Sequence, residues 1–313
     1  MSVHYPKQEY IVDRLIPDAS ITILSGQSRS FKTYTLLEIA LSVAKGQPLF
    51  EKFETHQTGV LIIDEENGER LLQQRFRQLG ADTTDLPIYT SSFGGFHLDD
   101  KHVGEVIDFC ETNDVKFVIL DSLIRIHGSD ENSARDMSKV FGKLREFTKA
   151  GIAVLVTQHN RKAGAGYGNS ADAMRGSGDI LAAVDSHIGV VRKEETLLSF
   201  KQEKQRYDVE LGLFKVRVHA TKDSFRFQYL GIFSNPPEKS LVLLPTVNSL
   251  LKEHGQLNKT ELLEKLSQRN DVAINEHSLK DLLQIWVNDG SLPQPIKGRG
   301  TSKYYRSWES KDE

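Results

Sequence analysis

The segment "LSGQSRSFKTY", residues 24–34, lies between an apolar run and a stretch with helical periodicity. It differs by one residue from the phosphate-binding pattern G-x-x-x-x-G-K-[ST]. Gly26, Lys32 and Thr33 are in register with that pattern. Phe31, however, stands where the second glycine belongs. The segment therefore predicts a strand, a phosphate loop and a helix, with one substitution that could have removed the binding function.

The chemistry of such a loop comes from its backbone. The chain turns around a phosphate after a strand, here "ITILSG", and the free N–H groups of the next helix point at the phosphate. Lys32 would reach the β- and γ-phosphates, and the Thr33 hydroxyl would bind Mg²⁺. Because phenylalanine adopts positive φ only at a cost, we expect Phe31 to keep φ negative and to turn its ring away from the phosphate. The predicted cofactors are ATP and Mg²⁺, and the predicted nucleotide-binding residues are Gly26, Gln27, Ser28, Arg29, Ser30, Phe31, Lys32, Thr33 and Tyr34.

Three acidic residues end the next apolar strand, in the segment "VLIIDEENGER". Like charges repel, so packing explains this crowding poorly. A general base for water attacking a γ-phosphate would lie at such a place. Strand alternation puts Asp64 and Glu66 on one face and Glu65 on the other, and either glutamate could be the base. The alternative is an acidic cap for the following helix.

Two further strands end in polar residues. "KFVILDS" ends in Asp121, which suits a Mg²⁺ ligand. "VLVTQHN" ends in Gln158 and His159, which suit sensors of the γ-phosphate, because ligands of open α/β sheets bind at the carboxyl ends of strands. Each signal alone also fits a capping or solvent-exposed residue. Their order after the phosphate loop favours the functional interpretation.

The fold class predicted from these runs is α/β. Nearly continuous β-branched strands alternate with helical segments, which predicts a mostly parallel sheet flanked by helices. After a Gly-rich stretch that follows Gln158, alternating segments predict antiparallel strands at the sheet edge. The Pro-rich "SNPPEKS" suggests a core over residues 1–235, a linker over 236–243 and a second domain over 244–313. Three helical patterns and a hairpin in that domain predict a winged helix.

Composition narrows the classes of protein. The 313 residues carry a formal net charge of −3, so any contact with nucleic acid must come from local patches. The single cysteine, Cys110, excludes a disulfide framework and a multi-cysteine zinc site, and we expect it in the core. No apolar run approaches the roughly 20 residues that span a bilayer. The expected location is the cytoplasm, with no membrane contact.

The order of these segments resembles the RecA-like core of RecA, KaiC and the DnaB-type helicases. It is most similar to the plasmid RepA-type hexameric helicases, through "VDRLIPDASITILSG", "ALSVAKGQPLF" and "MRGSGDI". The resemblance implies that Glu66, with Glu65 second, is the catalytic glutamate. It also implies that Lys204 and Arg206, in "FKQEKQRYDVE", reach into the ATP site of a neighbouring subunit. The alternative for these two residues is a solvated charged hairpin.

The resemblance further implies a ring, most simply a hexamer, around single-stranded DNA. A basic, flexible loop with an aromatic residue suits such DNA, because charge follows the backbone and a ring stacks on bases. The predicted DNA-binding residues are Arg161, Lys162, Tyr167 and Arg175. The winged helix could contact duplex DNA through its basic turn or dock a protein, and the sequence leaves both open.

The sequence thus favours an oligomeric, DNA-dependent ATPase, a RepA- or DnaB-like replicative helicase of a plasmid, phage or other mobile element. The main alternative is an ATP-switched DNA- or protein-binding regulator or loader that does not unwind DNA. A third reading, a degenerate loop that serves only as a scaffold, rests on Phe31 alone.

Overall fold

The computed structural model describes residues 8–81, 85–130, 133–159, 178–233, 238–268, 274, 276–288, 291–298 and 303–307. The chain forms two compact units, Met1–Leu230 and Gly231–Glu313. Each unit has its own apolar core.

A single large sheet organises the first unit. Its nine strands follow the order β11-β10-β9-β8-β3-β7-β6-β4-β5, and β1 pairs with β2 in a separate small hairpin. The strands are β1 Tyr10–Val12, β2 Ile16–Pro17, β3 Ile21–Gly26, β4 Gly59–Asp64, β5 Ile88–Ser92, β6 Val115–Asp121, β7 Ala153–His159, β8 Ser186–Arg192, β9 Leu197–Gln205, β10 Leu213–Ala220 and β11 Phe225–Phe233.

The centre of the sheet is parallel. Six strands, β8, β3, β7, β6, β4 and β5, run in the same direction, and β9 and β10 continue the sheet in antiparallel fashion. The predicted α/β class with a mostly parallel sheet is confirmed. One expectation was wrong: β8 was predicted as an antiparallel edge strand, yet it pairs in parallel with β3. Its alternating pattern did not reveal this, because the pattern fixes which face is buried and not the direction of pairing.

Helices cover both faces of the sheet, which is why the central strands are buried along their whole length. One apolar layer joins the sheet to α1 and α2, and the other joins it to α3 and α4. Cys110 lies in the second layer at 1% exposure, as expected. The helices of this unit are α1 Lys32–Lys45, α2 Glu69–Gln78, α3 Asp100–Thr112, α4 Ala134–Lys149 and α5 Gly178–Ala183.

An aromatic layer backs the antiparallel extension. Phe200 and Phe214 stack with ring centroids 5.0 Å apart. Phe225, at the start of β11, stacks on Tyr34 of α1 at 3.9 Å. These contacts attach the antiparallel extension to α1, the helix that follows the phosphate loop. The last strand of the sheet therefore packs directly beside this loop.

Over the residues of the second unit that the structure describes, there are three helices and a three-stranded antiparallel sheet of order β12-β14-β13. The first helix begins inside the stretch 236–243 that was expected to be a linker. Trp286 is 1% exposed and belongs to the core of the unit. The elements are α6 Glu238–His254, β12 Gln256–Asn258, α7 Lys259–Gln268, α8 Glu276–Asn288, β13 Ile296–Lys297 and β14 Lys303–Arg306, and the winged helix stays a prediction. Within the described ranges of both units, no helix is long and apolar enough to cross a membrane.

Candidate nucleotide-binding site

The phosphate loop follows the central strand of the parallel sheet. All six residues of β3 are buried between β7 and β8, and the chain then turns over residues 27–31 into α1. Gly26 has no room for a side chain, since a Cβ atom there would lie 2.6 Å from the Val190 carbonyl oxygen. The first glycine of the pattern is therefore required by the neighbouring strand.

Phe31 stands at the N-cap of α1 with φ 59° and ψ 25°, in the left-handed region. The expectation of a negative φ was wrong. The chain keeps the backbone geometry that a glycine would supply, although a side chain in this region costs roughly 1–2 kcal/mol. The expectation that the ring turns aside is correct, because it packs against Phe225 at 5.4 Å and lies 4.6 Å from the Arg192 guanidinium.

Lys32 lies across the loop. Its Nζ donates to the Gly26 carbonyl at 2.8 Å and the Gln27 carbonyl at 2.9 Å, and it lies 3.3 Å from Nδ1 of His159. The side chain is 7% exposed, and this burial lowers the pKa of Lys32 despite the nearby charges of Asp121 and Glu66. A buried ammonium whose contacts are carbonyl oxygens and an imidazole nitrogen has a strong electrostatic preference for an anionic partner such as phosphate.

The acidic run after β4 divides into three different roles. Asp64 is fully buried, and its Oδ1 accepts from the backbone N–H groups of Glu66 at 2.8 Å and Asn67 at 2.6 Å, so it shapes the turn. Glu65 turns away from the loop, where its Oε1 accepts from the backbone N–H of Phe96 at 2.9 Å. Glu66 faces the loop, with Oε2 3.2 Å from Nε2 of His159. Of the two candidate bases, Glu66 is the one that contacts His159, the residue that Lys32 also contacts.

Glu66 is also suited to stay ionised. Burial raises the pKa of Glu66, but the hydrogen bond and the charge of His159 lower it. The lowering outweighs the effect of burial, so the pKa of Glu66 lies below its usual range. An ionised carboxylate is the form that can orient water and accept its proton.

Asp121 ends β6 directly beside Asp64 in the register of the sheet. Its Oδ2 accepts from the Thr33 hydroxyl at 3.3 Å, and its Oδ1 accepts from the Thr157 hydroxyl. Burial raises the pKa of Asp121 to about 6, and the negative charge of Asp64 adds to this effect. The hydroxyl of Thr33 and the carboxylate of Asp121 are hard oxygen ligands of the kind Mg²⁺ prefers, so these residues fit the predicted ion.

The two predicted sensor residues are separated by the pleat of β7. His159 pairs with Gly26 in the sheet and contacts both Glu66 and Lys32. Gln158 points to the opposite face, where its Oε1 is buried and has no hydrogen-bond partner in the part of the chain that the structure describes. The structure thus brings His159 into the site and leaves Gln158 outside it.

Lys204 and Arg206 bind their own chain. The Lys204 ammonium donates to the carbonyls of Leu181 at 2.6 Å and Ala182 at 3.2 Å, at the C-terminal end of α5. Arg206 donates to the Ala182 carbonyl at 3.0 Å, and its Nε lies 3.2 Å from Oδ1 of Asp185. Among the described residues, both side chains contact the end of α5, and Arg206 also contacts Asp185 immediately before β8. Their action on a neighbouring subunit stays a prediction.

The sequence interpretation missed two buried residues that contact β3: Asp185, at the start of the strand and away from the phosphate loop, and His187. Asp185 is 1% exposed and also binds Arg145 at 2.6 Å and the backbone N–H of Ile21 at 2.9 Å. His187 lies beside the loop strand, with Nε2 2.7 Å from the Ser25 hydroxyl. Burial lowers the pKa of His187 to about 4, so its ring is neutral at neutral pH. A charged or titratable residue entering an otherwise apolar strand, as in "VDSHIGVV", was the available signal.

The predicted DNA-binding residues lie outside the described residues. These are Arg161, Lys162, Tyr167 and Arg175. The segment that carries them begins immediately after His159 and ends immediately before α5.

A parallel sheet whose central strand leads into a phosphate loop, with Lys32, Thr33, Asp121 and Glu66 gathered at its carboxyl edge, defines a P-loop ATPase of the RecA-like type. Such proteins bind a nucleotide, usually with Mg²⁺. A family model described as an AAA domain matches residues 2–165, about half of the chain, and the chain belongs to this family. No curated protein matches the chain in sequence.

Proposed function

We propose that this protein is an oligomeric, DNA-stimulated ATPase, a replicative-type helicase of a plasmid, phage or other mobile element. The observation that carries the proposal is the chain of contacts from Lys32 through His159 to Glu66. The proposal is supported because the ammonium of Lys32 and the carboxylate of Glu66 both contact one histidine, at the residue where the chain leaves the sheet for the basic segment.

Within the site, each residue has a distinct task. The loop amides and Lys32 bind the phosphates of ATP, and Glu66 orients the attacking water and takes its proton. Thr33 and Asp121 would hold Mg²⁺, which when bound neutralises charge on the phosphates. Thr157 fixes the Asp121 carboxylate through the hydrogen bond to Oδ1. Asp64 keeps the turn in the conformation that points Glu66 at His159.

His159 connects hydrolysis to DNA in this proposal. A phosphate that binds Lys32 competes with the carbonyls and the imidazole that this ammonium contacts now. His159 then repositions relative to Glu66, and the residue after it is the first of the segment 160–177 on which the DNA contacts are predicted. The basic residues Arg161 and Lys162 are the second and third residues after His159.

Lys204 and Arg206 would complete the site of the next subunit in a ring, most simply a hexamer. A guanidinium supplied from a neighbour stabilises charge on the transferring phosphoryl group and couples turnover to assembly. The contacts of Arg206 with Ala182 and Asp185 must then be exchanged for phosphate contacts. The second unit would add a winged helix that contacts duplex DNA or a protein partner.

The alternative proposal is an ATP-switched regulator or loader without unwinding activity. It is favoured by the same cis contacts of Lys204 and Arg206, because a chain that holds these residues on itself would bind ATP without rapid turnover. Assembly would then be the event that ATP controls.

ATPase rates with and without single-stranded DNA separate these proposals. The native protein should be stimulated by DNA, Lys32→Ala should lose nucleotide binding, and Glu66→Gln should bind ATP but lose about 10²–10⁴-fold in rate. Glu65→Gln is the matched control and should keep the native rate, since its carboxylate faces Phe96. If DNA leaves the ATPase rate of the native protein unchanged, the helicase proposal is contradicted. If DNA stimulates the rate, a strand-displacement assay distinguishes a helicase from a DNA-dependent switch.

Mixed oligomers test the action in trans. Lys32→Ala and Arg206→Ala should each be inactive alone, but their mixture should recover activity at sites that pair an intact Lys32 with an intact Arg206 of the neighbour. Arg217→Ala, on the exposed face of β10, controls for the loss of an arginine. Full activity of Arg206→Ala by itself would contradict the proposed role of this residue.

A further inference from the structure

The left-handed conformation of Phe31 needs a cause outside the loop. Phenylalanine has no intrinsic preference for φ 59°, and Arg29 in the same loop also has a positive φ of 66°. α1 offers no side-chain cap at this position. Within the loop itself, the Ser30 N–H and hydroxyl both bond the Gln27 carbonyl, but these contacts do not act on Phe31.

The ring of Phe31 is held on several sides by residues from other elements. Phe225, at the start of β11, meets it edge to face with centroids 5.4 Å apart, and Tyr34 lies at 6.2 Å. The Arg192 guanidinium lies 4.6 Å from the ring centroid at the end of β8. A cation over an aromatic face and an edge-to-face ring pair are both attractive arrangements.

These partners are themselves anchored. Arg192 donates to the Glu195 carbonyl at 2.7 Å and to the Arg29 carbonyl of the loop at 3.4 Å. Phe225 is 3% exposed and stacks face to face on Tyr34. Tyr34 in turn donates its hydroxyl to Gln78 at 2.6 Å. The ring of Phe31 therefore rests in a site whose walls are held largely by contacts outside the loop, with one further contact from Arg192 to the Arg29 carbonyl of the loop itself.

Ring position and backbone conformation are linked at Phe31 through its Cα–Cβ bond. If φ became negative, Cβ would point in a different direction and the ring would leave Arg192 and Phe225. We propose that Arg192 and Phe225 are positioning residues that hold the phosphate loop in its nucleotide-binding conformation, and so replace the conformational freedom of the missing glycine. The proposal rests on the proposed ATP binding, and it adds two residues beyond the segment 2–165 that the family model matches.

The expected effect follows from the population of the competent loop. A left-handed residue without compensation is disfavoured about five- to thirtyfold, and apparent affinity falls with the competent fraction. Phe225→Leu and Arg192→Ala should each raise the dissociation constant for a fluorescent ATP analogue about five- to tenfold. In the Phe31→Gly background the same changes should alter it less than about twofold, because glycine needs no external support.

Tyr229→Leu is the matched control. It removes an aromatic ring from the same strand, but its ring contacts Phe53 and Phe214 and not Phe31. It should leave ATP affinity unchanged in both backgrounds. Circular dichroism and thermal melting of every variant identify any that fails to fold, and Arg192→Ala, at an exposed residue, still carries the test should Phe225→Leu unfold.

A second readout needs no nucleotide. Hydrogen exchange of the loop amides at 27–31 should be faster in Phe225→Leu and Arg192→Ala than in the parent, but not when Phe31 is glycine. Equal effects in both backgrounds, or no effect in either, would overturn the positioning role. If the unmodified protein failed to bind ATP, the proposed function would fail, and hydrogen exchange would still decide whether these residues hold the loop.

Discussion

The burial of Asp121 predicts that removing its charge stabilises the protein while it removes a predicted Mg²⁺ ligand. The side chain is 3% exposed, and burial raises its pKa from 3.8 to about 6. An aspartate with a raised pKa binds more protons in the folded state, so its ionisation destabilises the fold as pH rises through the window from 3.8 to about 6. The penalty is complete above this window and absent below it.

The magnitude follows from the shift. About two pKa units correspond to about 3 kcal/mol at pH 8, and the same calculation leaves less than about 1 kcal/mol at pH 4. Asp121→Asn should therefore raise the free energy of unfolding by up to about 3 kcal/mol at pH 8 in the absence of nucleotide and Mg²⁺. Imperfect hydrogen bonds to the hydroxyls of Thr33 and Thr157 reduce this gain.

Urea denaturation at pH values from 4 to 8, without nucleotide or Mg²⁺, measures the effect. The exposed Asp108→Asn controls for the loss of one negative charge. The same Asp121→Asn protein should lose Mg²⁺-dependent ATP hydrolysis. A variant that is less stable than the parent at pH 8, or whose gain does not grow with pH, would refute the argument from burial.

Three further predictions concern other parts of the molecule. Burial lowers the pKa of His187 to about 4, so the parent protein loses stability as pH falls from 6.5 towards 4. In acid denaturation, His187→Gln should reduce this dependence of stability on pH, and an unchanged dependence contradicts the prediction. Thr157→Val removes the hydroxyl that favours ionised Asp121, so Mg²⁺-dependent activity should require a higher pH, measured as a shifted pH–rate profile. Trp286→Ala should cost the second unit about 3–5 kcal/mol in denaturant unfolding, and a cost below about 1 kcal/mol would place Trp286 outside its core.

The pH predictions for Asp121 and His187 act in opposite directions over nearly the same range. As pH falls, protonation of Asp121 in the folded protein increases the free energy of unfolding. His187 decreases it, because the histidine takes up a proton more readily in the unfolded chain than in the folded protein. The stability of the parent protein alone therefore does not report on either residue. Differences between each variant and the parent at the same pH are the informative quantity.

Much of the architecture could be predicted from local pattern. A helix, α1, follows the phosphate loop as the periodicity after it indicated, and the parallel centre of the sheet follows from the alternation of strands and helices. Strand ends that carry Asp64, Asp121 and His159 then meet at one edge of the sheet, because parallel strands present their carboxyl ends together. The roles assigned to these residues stay predictions until they are tested.

Other features could not be predicted, because neighbouring segments decide them. Alternation alone grouped Asp64 with Glu66, but Asp64 is used to build the turn, and the turn selects Glu66 and not Glu65 to face the loop. Alternation should have separated Gln158 from His159, yet the shared polar character of the pair concealed that only one faces the loop.

The sequence by itself determined that a phosphate loop stands between a buried strand and a helix, since that requires only the local order of residue types. Only the tertiary structure decided the conformation of Phe31, because the energy that compensates its left-handed backbone comes from Arg192 and Phe225 on distant strands. A steric rule for one residue gives the cost of a conformation. The contacts made by the folded chain supply the favourable energy that offsets this cost. The balance of the two energies decides which conformation the loop adopts.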